Sequence, residues 1–164
     1  MGDLYIMCGI PGSGKSTFLK NKIKKDNSVV ISRDEIRFSM LRPGEEYFSH
    51  ENDVTETFWN QINEALATGK DVFADQTSLT PKSRKWLIDH VNGYDHVNLI
   101  WIDEDLQTCL ERNEKRRGTR AYVPRGQVRR MSCQFVKPTS YEGFHYIFHY
   151  NSKEDKITYK EGGI

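Results

Sequence analysis

Residues 9–17 read GIPGSGKST and follow directly on the apolar run LYIMC. Gly9, then four residues, then Gly14, Lys15 and Ser16 is the spacing of a phosphate-cradling P-loop, and every fixed position has a chemical reason. A loop that wraps a polyphosphate must turn successive backbone N–H groups inward, and side chains would block that approach. Gly9, Gly12, Ser13 and Gly14 are the expected cradle. Lys15 then reaches the β- and γ-phosphates, the Ser16 hydroxyl ligates Mg²⁺, and Thr17 lies beside it. A helix starting near Lys15 presents its free N–H groups and positive dipole end to the same anion. A glycine-rich connector before a helix is the bland alternative. Strand, loop and helix occur in the order the chemistry requires, which favours a nucleoside triphosphate site.

Two further acids stand where a phosphoryl acceptor would be handled. In SRDEIR, Asp34 and Arg37 are three apart at a helix start and share a face. Transfer to a hydroxyl needs a carboxylate to orient the attacking oxygen and take its proton, which Asp34 could supply. Arg37 could hold an acceptor that carries phosphate. The plainer reading makes Asp34 a helix cap and pairs Arg37 with Glu35 or another acid. In FADQTS, Asp75 ends an apolar run beside the same crevice, as an acceptor contact or a turn former. LIWIDEDL offers rivals: Asp103-Glu104 imitates the acidic pair of water-activating ATPases, and Asp103 with Asp105 imitates an aspartate-nucleophile phosphatase. The latter lacks the following glycine. Acids here also serve simply to cap the next helix.

The elements that must position these groups alternate strand and helix, which predicts a parallel sheet covered on both faces. LYIMC, SVVIS (28–32), DVFA (71–74), HVNLIWI (96–102) and HYIFHY (145–150) read as strands. The first helix should bury Phe18, Leu19 and Ile23. Val54, Phe58, Ile62 and Leu66 give a helix over 54–68, closed by Gly69. Thr80 and Pro81 open another, with Gly93 past its end. A further helix runs from about Asp105 into the basic segment, and Pro124 opens one more. The expectation is one three-layer α/β/α P-loop kinase-type domain over 1–164, with four to five parallel strands and ligands at their carboxyl ends.

Composition is that of an ordinary globular chain: 164 residues, 37% hydrophobic, 29% charged. No run approaches the ~18 apolar residues of a membrane span, and the apolar N-terminal stretch lacks the basic flank of a secretory signal. Three widely spaced cysteines suggest neither disulfides nor zinc. A cytoplasmic protein with no membrane partner is expected. Net charge is +1, yet residues 112–130 hold eight Lys or Arg against the single acid Glu114, so +7 sits there and the remainder is −6. Interleaved with Gly118, Thr119, Tyr122 and Pro124, this stretch reads as a mobile basic lid over about 112–124 that closes on an anion, or as a solvated helix face.

With these residues in place the sequence resembles the 5′-hydroxyl polynucleotide kinases of nucleic-acid end repair, from about Tyr5 to Tyr150. GIPGSGKSTFLK, SRDEIR, TGKDVFADQTSLTPKSR and RNEKRRGTRAYVP carry the resemblance, and FVKPTSYEGFHYI resembles the ending of some members. The resemblance implies that Lys15, Ser16 and Thr17 hold ATP and Mg²⁺, and that Asp34 is the general base. It implies that Arg37 contacts the acceptor phosphate, that Asp75 lines the acceptor site, and that a lid arginine clamps the ATP phosphates. Arg116 and Arg117 compete for that clamp; within the resemblance Arg116 is the preferred assignment, with Arg112 as helper, and the choice between the two stays open. The acceptor would be the 5′-hydroxyl end of DNA or RNA. Many members carry a phosphatase or ligase domain that these residues do not, which implies a separate phosphatase or ligase as partner. Kinases of small-molecule alcohols share the same motifs, and a P-loop ATPase or nucleotide-binding module is the remaining alternative.

Overall fold

A computed structural model describes residues 2–161. Its strands are β1 (Leu4–Cys8), β2 (Ser28–Ser32), β3 (Asp71–Asp75), β4 (Val97–Asp103), β5 (Tyr146–Asn151) and β6 (Lys156–Glu161). The helices are α1 (Lys15–Asn21), α2 (Arg33–Met40), α3 (Glu51–Ala67), α4 (Pro81–His90), α5 (Leu106–Glu114) and α6 (Arg125–Gln134). The strands form one six-stranded sheet in the order β2-β3-β1-β4-β5-β6, parallel except for the β5–β6 pair. The expected four to five strands therefore gain a sixth. β6 carries no apolar alternation that buries anything, and all six of its residues are exposed. Only hydrogen bonding to the β5 edge makes it a strand.

Strand alternation sorts the core into two faces. Leu4, Ile6 and Cys8 of β1 join Val72, Ala74, Val97, Leu99 and Ile147 under Ile36 of α2, Val54, Phe58, Ile62 and Leu66 of α3, and Leu87 of α4. Met7, Phe73, Ile100, Ile102 and Tyr150 point the other way and meet Phe18 and Leu19 of α1. A third cluster joins Ile10 and Leu79 to Cys109 and Leu110 of α5 and Val128 of α6. The expected boundaries shift by a few residues. α3 starts at Glu51 rather than 54, and α5 stops at Glu114, before most of the basic run.

Helix ends follow local chemistry. Thr80 accepts from the Ser83 N–H, and the Ser83 hydroxyl accepts in return from the Thr80 N–H, a reciprocal cap in front of Pro81. Ser32, not Asp34, caps α2, accepting from the Glu35 N–H. Asp105 caps α5 through the Thr108 N–H. Gly69, at φ +81°, stands past the end of α3, where the left-handed region suits glycine.

Register brings the candidate residues together. Ser32 pairs with Asp75 and Ile6 with Ala74, so β1, β2 and β3 end side by side, with the P-loop above β1. The chain leaves β1 to build one half of the sheet and returns across it to build the other, which opens a crevice at those carboxyl ends.

Candidate active site

The loop between β1 and α1 cannot be built from other residues without displacement. A Cβ at Gly9 would sit 2.7 Å from the Ser13 Oγ and 3.0 Å from the Ile102 carbonyl oxygen. Gly12 adopts φ +84° and lies against α5, where a Cβ would come within 2.3 Å of the Cys109 carbonyl oxygen. Gly14 is left-handed as well, and α1 begins behind it with no side-chain cap and no acid in its first turn. The N–H groups at that helix start are thus left for an outside acceptor. The Ser13 Oγ is buried and makes no hydrogen bond. These features fit a polyphosphate.

Lys15 folds back over the loop, its Nζ donating to the Gly9 carbonyl at 2.7 Å and the Ile10 carbonyl at 3.2 Å. Burial lowers its pKa, opposed by the field of Asp75 and, more weakly, Asp34, while Arg116 adds repulsion. Desolvation raises the pKa of Asp75, and Lys15 only partly offsets this. Lys15 therefore lies within the field of Asp75, Asp34 and Arg116, although all three lie far from it in the chain. Ser16 and Thr17 are exposed at the start of α1.

Asp34 is held rather than free. Its Oδ1 accepts from the Tyr47 hydroxyl at 2.5 Å and from the Arg37 guanidinium. Arg37 is 4% exposed and forks onto Glu51, with its Nε and Nη2 at 3.2 and 2.7 Å from the two carboxylate oxygens. It also donates to the Tyr47 hydroxyl at 2.7 Å. Glu51 is shared with Arg33 at 2.7 Å. Burial opposes ionisation of Glu51, and the two arginines more than reverse that, lowering its pKa. Burial likewise raises the Tyr47 pKa, helped by its bond to Asp34. Asp34 and Arg37 share a face, as their spacing requires. The guanidinium is nonetheless spent on Glu51, Asp34 and Tyr47 instead of facing solvent. Neither Glu51 nor Tyr47 was legible beforehand, since fourteen and ten residues separate them from Arg37 and no local pattern links them.

On the opposite side of the P-loop a cleft of about 380 Å³ is lined by Gly12, Gly14, Thr17, Arg112, Arg116 and Tyr150, among others. Arg112 spans it, donating to the Ser13 carbonyl and the Ser152 hydroxyl, both at 3.1 Å. Arg116 lines the cleft, whereas Arg117 turns away to Glu114, with Nη2 at 2.8 Å, and lies over the Tyr122 ring. Asn113, fully buried, ties the two ends of the basic segment by donating to the Val123 carbonyl at 2.6 Å and accepting from its N–H at 3.1 Å.

The acids after β4 do other work. Glu104 accepts from the Ser152 hydroxyl at 2.6 Å and pairs with Arg112, while Asp103 pairs with His149. Behind the loop, Arg84 is entirely buried, a residue the sequence did not single out. Its Nε donates to Glu142 at 2.7 Å, its Nη1 to the Ser78 carbonyl at 2.8 Å, and its Nη2 to the Val136 carbonyl at 3.0 Å. The EGF stretch at 142–144 thus packs and pins the sheet behind the site. Among the described residues no three His, Cys, Asp or Glu side chains cluster as a metal site. No helix there is long and apolar enough to cross a membrane.

Comparison with known proteins bears on the family and the fold. The family model described as AAA domain matches residues 4–138. A protein of Autographa californica nuclear polyhedrosis virus, named a bifunctional polynucleotide kinase/RNA ligase, is 25% identical over 154 residues, covering 85% of this chain and 22% of the viral one. Among solved structures, a chain of the Pnkp1/Rnl/Hen1 RNA repair complex superposes with a TM-score of 0.71 at 24% identity, covering 81% of this chain and 43% of that one. A gluconokinase from Sinorhizobium meliloti gives 0.61 at 17% identity, covering 92% and 82%. The present chain spans about a fifth of the viral relative and less than half of the repair-complex chain. At these identities the structural likeness establishes the fold, that of P-loop kinases.

Proposed function

This chain belongs to the AAA domain family of P-loop proteins, and on that premise we propose that it is an ATP-dependent kinase of the 5′-hydroxyl ends of DNA or RNA. The carrying observation is geometric: Lys15 folds over the glycine loop at the end of β1, and Asp34, held by Tyr47 and Arg37, stands just past the end of β2, beside the Ser32–Asp75 pair. Phosphoryl transfer asks mainly for positioning and for charge to meet the equatorial oxygens. Gly9, Gly12, Ser13 and Gly14 would cradle the ATP phosphates. Lys15 would leave the Gly9 and Ile10 carbonyls for the β- and γ-phosphate oxygens. Ser16 would hold Mg²⁺, which would supply charge neutralisation at the phosphates, with Thr17 beside it. Arg116 would close on the transferring group, with Arg112 helping from the P-loop carbonyls.

Asp34 would orient the acceptor hydroxyl and take its proton, with Asp75 lining the acceptor side. Arg37 was expected to grip an acceptor phosphate. Its bonds to Glu51, Tyr47 and Asp34 favour a role in holding the Asp34 carboxylate. The acceptor class rests on the four sequence segments and on the viral relative's name. A basic segment of +7 suits a polyanionic substrate. End healing would then also call for phosphatase and ligase activities. The gluconokinase likeness supports a second reading, a kinase of a small-molecule alcohol. The engagement of Glu104 by Arg112 and Ser152 disfavours a water-activating ATPase.

The deciding experiment is transfer from γ-labelled ATP to 5′-OH oligonucleotides of DNA and RNA, 3′-mononucleotides, and a panel of sugars and other alcohols. Labelling of strands and 3′-mononucleotides is expected. Efficient labelling of an uncharged alcohol with none of any strand would replace the polynucleotide reading by the second.

A further inference from the structure

Asp34 is bonded to the middle ring of a row of three aromatic side chains. Its partner Tyr47 touches Phe48, with centroids 4.7 Å apart, and Phe38 of α2, at 6.3 Å, both edge-on. At the far end the Arg120 guanidinium lies 4.9 Å over the Phe38 ring, so the basic segment reaches across the crevice to the acceptor side. Phe48 is 62% exposed and Tyr47 42%. A single exposed ring needs no explanation. Here three are in contact, the middle one is bonded to the candidate base, and a cation lies over one end.

The charges on this surface differ in availability. Arg37 packs under the rings of Tyr47 and Phe48 at 4.2 and 5.7 Å and is neutralised by Glu51 and Asp34. Pulling it onto a ligand would leave the half-buried Glu51 to Arg33 alone. Arg120 makes no ion pair among the described residues, and its contact is the Phe38 ring. An exposed ring such as Phe48 near a guanidinium without an ion pair is the chemistry that binds single-stranded nucleic acid: bases stack on rings, and phosphate meets arginine.

Resting on the kinase reading above, we propose that the Phe48–Tyr47–Phe38–Arg120 row is the acceptor-strand site, with the terminal nucleobase stacked on Phe48 and a strand phosphate held by Arg120. Arg37 then positions Asp34, and the basic segment serves both substrates: Arg116 faces the nucleotide and Arg120 the strand. A free sugar would use neither the ring nor the guanidinium.

The test is steady-state transfer by the full chain to single-stranded 5′-OH oligonucleotides, with a second acceptor abasic at its 5′ terminus. Phe48→Ala should raise the acceptor KM roughly tenfold with the ATP KM unchanged, and Phe48→Trp should restore it. The abasic terminus should cost wild type the same factor and cost Phe48→Ala nothing more. Arg120→Ala should raise the acceptor KM and flatten its logarithmic dependence on salt by about 0.7, one phosphate contact on a single strand. Strands phosphorylated with unchanged KM in both variants would overturn this surface and leave the kinase reading standing. Transfer to an alcohol and to no strand would overturn both.

Discussion

At the scale of single residues, Asp34 and Glu104 separate transfer from hydrolysis. Asp34→Asn should keep ATP affinity and lose transfer by about 10²-fold or more, measured under single-turnover conditions. Glu104→Gln should leave transfer nearly intact, because Glu104 already answers to Ser152 and Arg112. The opposite pattern would make the chain an ATPase. Arg116 and Arg117 form a second contrast. Lysine keeps the charge and loses the planar fork, so Arg116→Lys should cut kcat about tenfold or more. Arg117→Lys should change little, since Arg117 faces Glu114 at the surface. Asp75 carries a cost that can be read as pH dependence. Its raised pKa means that the folded state favours the protonated form. Its contribution to stability is present below the unfolded value of 3.8 and is lost as pH rises through the folded pKa. Asp75→Asn should therefore melt higher than wild type at pH 7, with the gap closing below about pH 4. A gap independent of pH would show that ionisation of Asp75 is not its source.

Among the elements, α4 and the 135–144 segment hold the P-loop from behind through one guanidinium. Ser78 is forced to φ +49° and buried, and its carbonyl takes the Arg84 Nη1. Gly9 donates to the neighbouring Thr77 carbonyl at 3.0 Å, so this turn bears directly on the loop. Removing Arg84 leaves Glu142 without its buried partner, so Arg84→Ala should cost about 3–5 kcal/mol by urea unfolding. Double substitution with Glu142→Ala should cost less than the sum of the single changes. The basic segment depends on Asn113 in the same way. Without its amide, the Val123 N–H and carbonyl lose their partners, and Asn113→Ala should speed amide exchange and proteolysis across 115–122. Exchange unchanged there would mean that the segment is held by other contacts.

Taken as a whole molecule, the chain separates its charge: the basic segment, with Arg112 and Arg116 at the P-loop cleft and Arg120 over Phe38, lines the end of the sheet that carries the candidate site, and acids dominate elsewhere. A polyanionic acceptor would be drawn to that end, so acceptor KM should rise steeply between 50 and 200 mM salt, two concentrations for which the loss scales with the number of phosphates engaged. A neutral acceptor would show no such slope, which makes salt titration a test of acceptor class independent of any mutation.

Much of this was legible in the residues. The P-loop could be read because its requirements are local: two glycines forced by close approach and a third by a left-handed backbone, and a lysine and a hydroxyl at fixed offsets from a strand end. Five strands and the caps at Thr80 and Gly69 were readable because period-two alternation and turn chemistry act over a few residues. β6 was not, since an exposed edge strand is defined by its hydrogen-bonded neighbour and buries nothing. Nor could spacing decide what Arg37 does. It placed Arg37 beside Asp34, but Glu51 at the start of α3 and Tyr47 in the preceding loop reach it only after the chain folds. The same holds for Arg116 against Arg117, adjacent in sequence and separated only by which one the turn after α5 points toward the cleft. Sequence fixes what is decided by backbone geometry within a turn or two. Side-chain partners ten to a hundred residues apart are decided by packing, because a buried charge takes whichever opposite charge the fold brings within reach.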